Sequence, residues 1–172
     1  MDRRLLALPL IAIVAPAYAT TYLTVEQAQA TMFPGQTLTP DFRTLTSAQI
    51  DAIRKASGEA PLGPKLKAWH ASGGGWMIVD EVVGKHEFIT FALAIDATGA
   101  AKSIEIMDYR ESYGDQVRDA KWRAQFVGKR GDSPLHLGDD IRNISGATLS
   151  SKHVTDGVRR LLKTCELVLA HG

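Results

Sequence analysis

Cysteine is nearly absent from the sequence, since Cys165 stands alone among 172 residues. A single cysteine excludes a disulfide within the chain and leaves stability to a packed core. Cys165 falls in an apolar pattern with helical spacing, which favours a small buried hydrophobe over a redox thiol or a disulfide to a partner. An excess of charge of one sign is also lacking, because the sequence has 20 basic and 19 acidic residues. The resulting net charge of +1 indicates neither nucleic-acid binding nor attraction to an anionic membrane surface.

Long hydrophobic runs are missing too. The apolar run at residues 5–14 contains Pro9 and is shorter than the roughly 20 apolar residues of a membrane-spanning helix. Two arginines precede the run, and the small-x-small pattern Ala-Tyr-Ala follows it at 17–19. Together these features predict a signal peptide at 1–19, cleaved after Ala19, and hence export to the periplasm. An uncleaved membrane anchor is the less favoured alternative.

Metal-ligand spacing and phosphate-loop spacing are absent as well. Four histidines do not recur with each other or with carboxylates at the intervals of a metal site: they are His70, His86, His136 and His171. The glycine run at 73–75 does not stand between a strand and a helix, so it predicts a flexible lead-in instead of a nucleotide loop. Neither a metal site nor a catalytic acid–base pair is therefore expected.

The hydrophobic pattern changes its period along the chain. It predicts, in chain order, helices at 22–32 and 46–57, strands at 76–83, 88–95 and 102–109, a short helix at 118–126, a loop at 128–138 and a helix at 150–170. Thr24 and Ser47 are expected to cap the first two helices, and Ser150 or Ser151 the last one. We therefore expect an α+β fold in which an antiparallel sheet packs against the C-terminal helix. An N-terminal helical segment at 20–73 would precede the main domain at 74–172.

The segment before the C-terminal helix has the composition of a phosphate site. Gly146 and Ala147 are small enough for close approach of a ligand to the backbone. Hydroxyl groups surround them, at Ser145, Thr148, Ser150 and Ser151. The start of a helix adds unpaired N–H donors and the positive end of the helix dipole. Ordinary helix capping by serine and threonine is the alternative, and the spacing alone favours it.

Ser-Gly-Ala-Thr before a C-terminal helix resembles the FMN-binding domain found in the flavin subunits of sodium-pumping NADH:quinone oxidoreductase and the Rnf complex. In that family a flavin transferase takes FMN from FAD and esterifies its phosphate to the threonine. The resemblance implies covalent FMN on Thr148, with Ser145, Gly146, Ala147, Leu149 and Ser150 around the cofactor. Arg142 stands where the family usually has aspartate.

A second stretch extends the resemblance. Glu111, Ser112 and Gly114 resemble the family's Glu-Thr-Pro-Gly segment, and Trp122 and Phe126 resemble the Trp-x-x-x-Phe that follows it. The resemblance therefore places Glu111, Ser112 and Trp122 among the cofactor-binding residues. Without it, Glu111 is equally suited to pair with a neighbouring arginine, and Trp122 is a core residue. Tyr113 stands where the family commonly has proline, and its ring could still sit against the flavin. His153, one turn into the helix, is expected to be a surface residue, with a position beside the flavin as the less favoured alternative.

Together with the predicted signal peptide, the resemblance implies an exported flavoprotein that receives FMN from a flavin transferase and passes electrons to a redox partner in the periplasm or the membrane. Thr148 would be an attachment point, so no catalytic residue is expected in the chain itself. Two alternatives stay open: a periplasmic binding or assembly module of the same fold with weak or no permanent flavin, and an oxidoreductase that turns over a small substrate on its FMN.

Overall fold

One antiparallel sheet organises the computed structural model, which describes residues 20–170. Its strands are β1 (Thr20–Thr21), β2 (Leu38–Thr44), β3 (Lys65–Ala71), β4 (Trp76–Val83), β5 (Phe88–Ile95) and β6 (Ala101–Tyr109). They lie in the spatial order β1-β6-β5-β4-β3-β2, so strands β2 to β6 form a continuous meander. The α+β fold and the predicted three-strand meander are confirmed. The predicted signal peptide lies outside the described residues.

Both faces of the sheet are covered by helices. One face packs against the C-terminal helix, and its buried side chains include Ile78, Phe91 and Ile104. The opposite face carries a smaller apolar cluster, which includes Met77 and Met107 and packs against the first helix. A strand that is covered on both faces needs an almost continuous apolar sequence, which is why β5 is buried at six of its eight positions.

The first two helices match their sequence signals closely. Helix α1 (Val25–Met32) and helix α2 (Ser47–Ser57) each begin with a capping box. In each box the threonine hydroxyl accepts a hydrogen bond from the backbone N–H of a glutamine three residues later, and the glutamine side chain accepts one from the backbone N–H of the threonine. The threonines are Thr24 and Thr46, so Thr24 is confirmed as a cap. The expectation that Ser47 caps α2 is wrong, because Ser47 is already the first helical residue.

The three strands of the N-terminal segment, β1, β2 and β3, were not predicted from the sequence. β2 forms the edge of the sheet and contains Pro40, which weakens its strand signal. β3 alternates lysine and histidine with apolar residues, and it pairs with both β2 and β4. Residues of this segment, among them Ile53 and Leu66, belong to the same apolar core as the strands that follow.

The segment 115–126 differs from the single short helix predicted at 118–126. It consists of a 3₁₀ turn at Asp115–Arg118, a one-turn helix α3 (Ala120–Arg123) and a second 3₁₀ turn at Ala124–Phe126. Its apolar residues are buried as their spacing indicated, but a chain that bends between short turns can bury them without a continuous helix. The loop that follows at 128–138 is confirmed.

The C-terminal helix α4 (Thr148–Thr164) starts two residues earlier than predicted and continues into a π-helical turn at Cys165–Leu169. The expectation that Ser150 or Ser151 caps it is wrong. Both are buried inside the first turn, and the N-cap position is held by Ala147, which has no side-chain acceptor to offer. Cys165 is buried as expected, and burial raises the pKa of its thiol to about 11.

Candidate functional site

The start of α4 exposes backbone donors that no side chain satisfies. Its N-cap Ala147 has φ −126° and ψ 28° and makes no side-chain capping bond. The N–H of Ala147 donates to the Ile144 carbonyl at 3.0 Å, which closes the turn before the helix. Gly146 in that turn has a φ of +84°, a conformation that favours glycine. The first amides of a 17-residue helix therefore point outward next to a small, glycine-containing turn.

Only two of the four hydroxyls in this segment are exposed. The Ser150 hydroxyl is hydrogen-bonded to the Tyr109 hydroxyl at 2.9 Å, and the Ser151 hydroxyl donates to the Ala147 carbonyl at 2.8 Å. Ser145 and Thr148 are exposed, and Thr148 is the first residue of the helix. The Asn143 side-chain amide donates to the Thr148 hydroxyl oxygen at 3.1 Å. The fold thus leaves Thr148 and Ser145 as the accessible hydroxyls, with Leu149 half exposed beside them.

The loop that follows β6 is held against α4 by Tyr109, for which the sequence pattern indicates no role in the site. Tyr109 is 3% exposed, and its hydroxyl donates to the Tyr113 carbonyl while it also pairs with Ser150. Burial raises the pKa of Tyr109, so it remains a neutral donor. Gly114 has a φ of +100°, and a Cβ there would lie 2.5 Å from the Tyr109 oxygen. The close contact between loop and helix therefore requires glycine at this position.

Glu111 is bound to the hairpin turn that joins β4 to β5. Its Oε1 atom accepts hydrogen bonds from the backbone amides of Glu87, at 2.9 Å, and His86. Burial alone would raise the pKa of Glu111, but these amide donors outweigh it and lower the pKa. The alternative in which Glu111 pairs with a neighbouring arginine is not realised: Arg110 pairs with Asp108.

The same hairpin turn is also tied to α4. His153 Nδ1 is hydrogen-bonded to the Gly84 carbonyl at 3.0 Å. A Cβ on Gly84 would lie 2.7 Å from the Glu111 carboxylate, so the turn is in close contact with the loop on its other side. Three segments therefore meet: the start of α4, the loop at 110–114 and the hairpin turn at 84–87. Ser112 and Tyr113 are exposed on this loop, Tyr113 to 86%.

Trp122 lies underneath the turn that precedes α4. It is 5% exposed, its ring packs edge-to-face on Phe126 with centroids 5.1 Å apart, and its indole N–H donates to the Arg142 carbonyl at 2.7 Å. The Arg142 amide in turn donates to Gln125 Oε1 at 2.9 Å. These bonds hold the backbone of the turn while the Arg142 side chain stays exposed. Trp122 is therefore a core residue, and its indole N–H holds the turn that precedes α4.

The arrangement suits a phosphate-containing ligand. An uncapped helix start supplies N–H donors and a positive dipole end, and no acidic residue lies in the first turn of α4. Within residues 20–170, no group of histidine, cysteine or acidic side chains has the arrangement of a metal site. No helix in that range is long and apolar enough to cross a membrane.

Residues 84–163 match the family model of the FMN-binding domain. The match begins at the hairpin turn and ends inside α4, so it contains all three segments that meet at the site. No curated protein matches the chain at a significant level. The match indicates a flavin-binding protein whose cofactor is FMN, and the exposed threonine beside unpaired helix amides is an environment that fits its phosphate.

Proposed function

We propose that this chain, whose residues 84–163 match the family model of the FMN-binding domain, belongs to that family and is an exported flavoprotein that carries FMN as a phosphoester on Thr148 and passes electrons to a redox partner. The observation that carries the proposal is the exposed Thr148 hydroxyl at the uncapped start of α4. The accessible hydroxyl and the anion-binding end of the helix lie at the same point of the fold.

Attachment of FMN is a phosphoryl-group transfer from FAD. The Thr148 oxygen forms a bond to the phosphorus of the FMN half of FAD, the pyrophosphate bond breaks, and AMP leaves. The hydroxyl proton has to be accepted by a base. Asn143, which contacts the Thr148 hydroxyl, carries a neutral amide and cannot serve. The flavin transferase is therefore the partner that supplies the base, and Thr148 is an attachment point.

The residues of the chain hold and orient the cofactor. The outward-pointing amides at the start of α4 bind the phosphate oxygens. The positive φ at position 146 favours glycine, and because Gly146 has no side chain the phosphate can approach these amides. Tyr109 and Glu111 fix the loop and the hairpin turn on either side. FMN supplies the electron chemistry when bound, whereas the protein determines its position and electrostatic surroundings.

Export explains why a covalent bond would be useful. The leader predicted at 1–19 directs the chain to the periplasm, where a dissociated flavin is lost to the medium. A phosphoester retains the cofactor independently of its binding affinity. The electron acceptor or donor would then be a protein in the periplasm or the membrane.

Arg142 supports a second candidate function, a periplasmic binding or assembly module with weak or no permanent flavin. Its exposed side chain takes the place of an aspartate that is usual in the family, close to the hydroxyl that the transferase must reach. A positive charge at that place changes the surface that the transferase recognises. Under this candidate function, Arg142→Asp restores attachment.

Co-expression with a flavin transferase tests the proposal. The protein is precipitated with acid, and the flavin absorbance that stays with it is measured for the parent, Thr148→Ala and Ser145→Ala. Ser145→Ala is the matched control, because its hydroxyl is also exposed in the same turn. We expect covalent flavin in the parent and in Ser145→Ala but none in Thr148→Ala. Flavin that is released by acid from the parent would favour non-covalent binding, and Arg142→Asp would then be measured in the same way.

A further inference from the structure

The hydroxyl side chains of α4 differ in what they bind. Three of them donate to the carbonyl oxygen four residues earlier, at distances of 2.7 to 2.9 Å: those of Ser151, Thr155 and Thr164. Ser150 is hydrogen-bonded to the Tyr109 hydroxyl. Thr148 is the exception, because within residues 20–170 its hydroxyl only receives a hydrogen bond and donates to no acceptor. Its proton is therefore free to be taken by another molecule.

The position of Thr148 explains why its hydroxyl donates to no carbonyl. As the first residue of the helix, it has no helical turn before it. The residue four positions earlier, Ile144, belongs to the preceding turn, and its carbonyl already accepts the N–H of Ala147. The Thr148 hydroxyl is thus left to a partner outside the helix.

That partner is Asn143, whose side-chain N–H donates to Thr148 Oγ1 at 3.1 Å. A hydroxyl oxygen has two lone pairs and one hydrogen. The bond from Asn143 occupies one lone pair and orients the oxygen, so the second lone pair and the hydrogen are directed away from Asn143. These are the groups that an attack on a phosphorus atom requires.

The residues on both sides of Asn143 are anchored. The Arg142 carbonyl accepts the indole N–H of Trp122, and the Arg142 N–H donates to Gln125. On the other side, Ile144 packs against the apolar core. Because its neighbours are already ordered by the fold, Asn143 loses little conformational freedom when its side chain binds Thr148.

Ser145, the other exposed hydroxyl of this segment, is not the one that Asn143 contacts. A serine side chain without such a contact populates several staggered χ1 rotamers, whereas Thr148 is restricted by its branched Cβ and by Asn143. Of the two accessible hydroxyls, Thr148 is therefore the one that is presented in a defined direction.

We propose that Asn143 orients the Thr148 hydroxyl for flavin transfer and so distinguishes it from Ser145, an inference that rests on the function proposed above. In the transfer, Thr148 Oγ1 forms a bond to the phosphorus of the FMN half of FAD, the pyrophosphate bond breaks, AMP leaves, and the hydroxyl proton passes to a base of the transferase. The oxygen gains negative charge as its proton leaves, and the Asn143 N–H is a donor placed at that oxygen. Asn143 accelerates the transfer without exchanging a proton.

Initial rates of flavin transfer test this role. The unmodified parent, Asn143→Ala and Gln116→Ala are each incubated with FAD and a flavin transferase, and kcat and KM for the acceptor protein are determined. Gln116→Ala is the matched control, because Gln116 is also an exposed amide side chain but lies in the 3₁₀ turn at Asp115–Arg118. We expect Asn143→Ala to lower kcat about tenfold at a KM near the parent value, and Gln116→Ala to change neither. Equal kcat values for the parent and Asn143→Ala would overturn the proposal, and so would a raised KM alone, which indicates a contact with the transferase.

The rotamer of Thr148 gives a second readout, which requires no flavin. Three-bond couplings from the Thr148 methyl carbon to the backbone nitrogen and carbonyl carbon report χ1 in isotope-labelled protein. We expect the couplings of a single rotamer in the parent and in Gln116→Ala, and averaged couplings in Asn143→Ala. Averaged couplings in the parent, or a single rotamer in Asn143→Ala as well, would contradict the orienting role.

Peptide mass spectrometry of the parent separates this proposal from the one on which it rests. FMN on Thr148 together with equal kcat values would leave the proposed function standing and overturn the role of Asn143. If the parent acquires no flavin at Thr148, the proposed function fails, and the couplings decide on Asn143 alone. A single rotamer that becomes averaged in Asn143→Ala would then sustain the orienting contact, and equal couplings in both proteins would overturn it.

Discussion

The helix starts of this protein differ in the way their backbone donors are satisfied. The two short helices α1 and α2 begin at threonines in extended conformation, with ψ values of 169° and 161°, and each is closed by a capping box. The long helix α4 begins at Ala147 with ψ 28° and without a side-chain cap. Short helices gain stability from capping, whereas α4 is held by its apolar face on the sheet. The helix that does not need a cap is thus the one whose amides remain free for a ligand.

Among the variants considered, Gly146→Val should cause the largest loss of bound flavin, because it changes the turn at the start of α4. A valine at a φ of +84° is strained, at a cost on the order of 1–3 kcal/mol, and its side chain would stand where the phosphate approaches. A Cβ at this position would meet no heavy atom within 4 Å, so the cost to the fold is backbone strain without a steric clash. We expect flavin content to fall at least tenfold while circular dichroism shows a folded protein. Flavin content at the parent level would show that the phosphate lies elsewhere.

Tyr109→Phe should reduce flavin content next most strongly. The variant keeps the buried ring but removes the hydroxyl that joins Ser150 to the Tyr113 carbonyl. Loss of a buried hydrogen-bond partner costs about 1–3 kcal/mol, and the loop at 110–114 should open more readily. Hydrogen exchange of the loop amides and the dissociation constant for FMN measure the two effects. Faster exchange with unchanged FMN affinity would remove Tyr109 from the site.

Glu111→Gln should give a pH-dependent loss of stability. The pKa of Glu111 is lowered in the folded protein, so its stabilisation is present above the ordinary value of 4.5 and is lost as the pH falls through the folded pKa. The difference in melting temperature between parent and variant should therefore be largest near neutral pH. It should shrink as the pH falls below 4.5. Glu166→Gln is the control, since Glu166 pairs with Lys163 on the surface. A constant difference across this range would contradict the assigned contacts of Glu111.

Thr46→Ala should have the smallest effect on flavin, namely none. It removes the capping box of α2 and should lower the free energy of unfolding by about 1 kcal/mol. Urea unfolding measures the loss, and flavin absorbance after acid precipitation measures the retained cofactor. A reduced flavin content in this variant would mean that helix stability in general, and not the start of α4, controls FMN retention.

Period and composition of the sequence are sufficient to predict the strands β4 and β5, the helix α1 and the apolar stripe of α4. They are not sufficient to predict β2 and β3, because Pro40 and the lysines of β3 lower the strand propensity of these segments. The two strands form by pairing with each other and with β4, which local sequence does not encode. The start of α4 was placed too late, because serine usually caps helices, and here Ser150 is instead bonded to Tyr109. Such a contact joins residues 41 positions apart, which local patterns do not encode.

The location of the flavin on the polypeptide is the most direct test of the proposed function. Periplasmic protein is isolated from cells that make a flavin transferase, digested, and analysed by tandem mass spectrometry. We expect the mass of an FMN phosphoester on the peptide that contains Thr148, with fragment ions that place it on that residue. An unmodified Thr148 peptide from a yellow protein, or FMN on Ser145, would contradict the account.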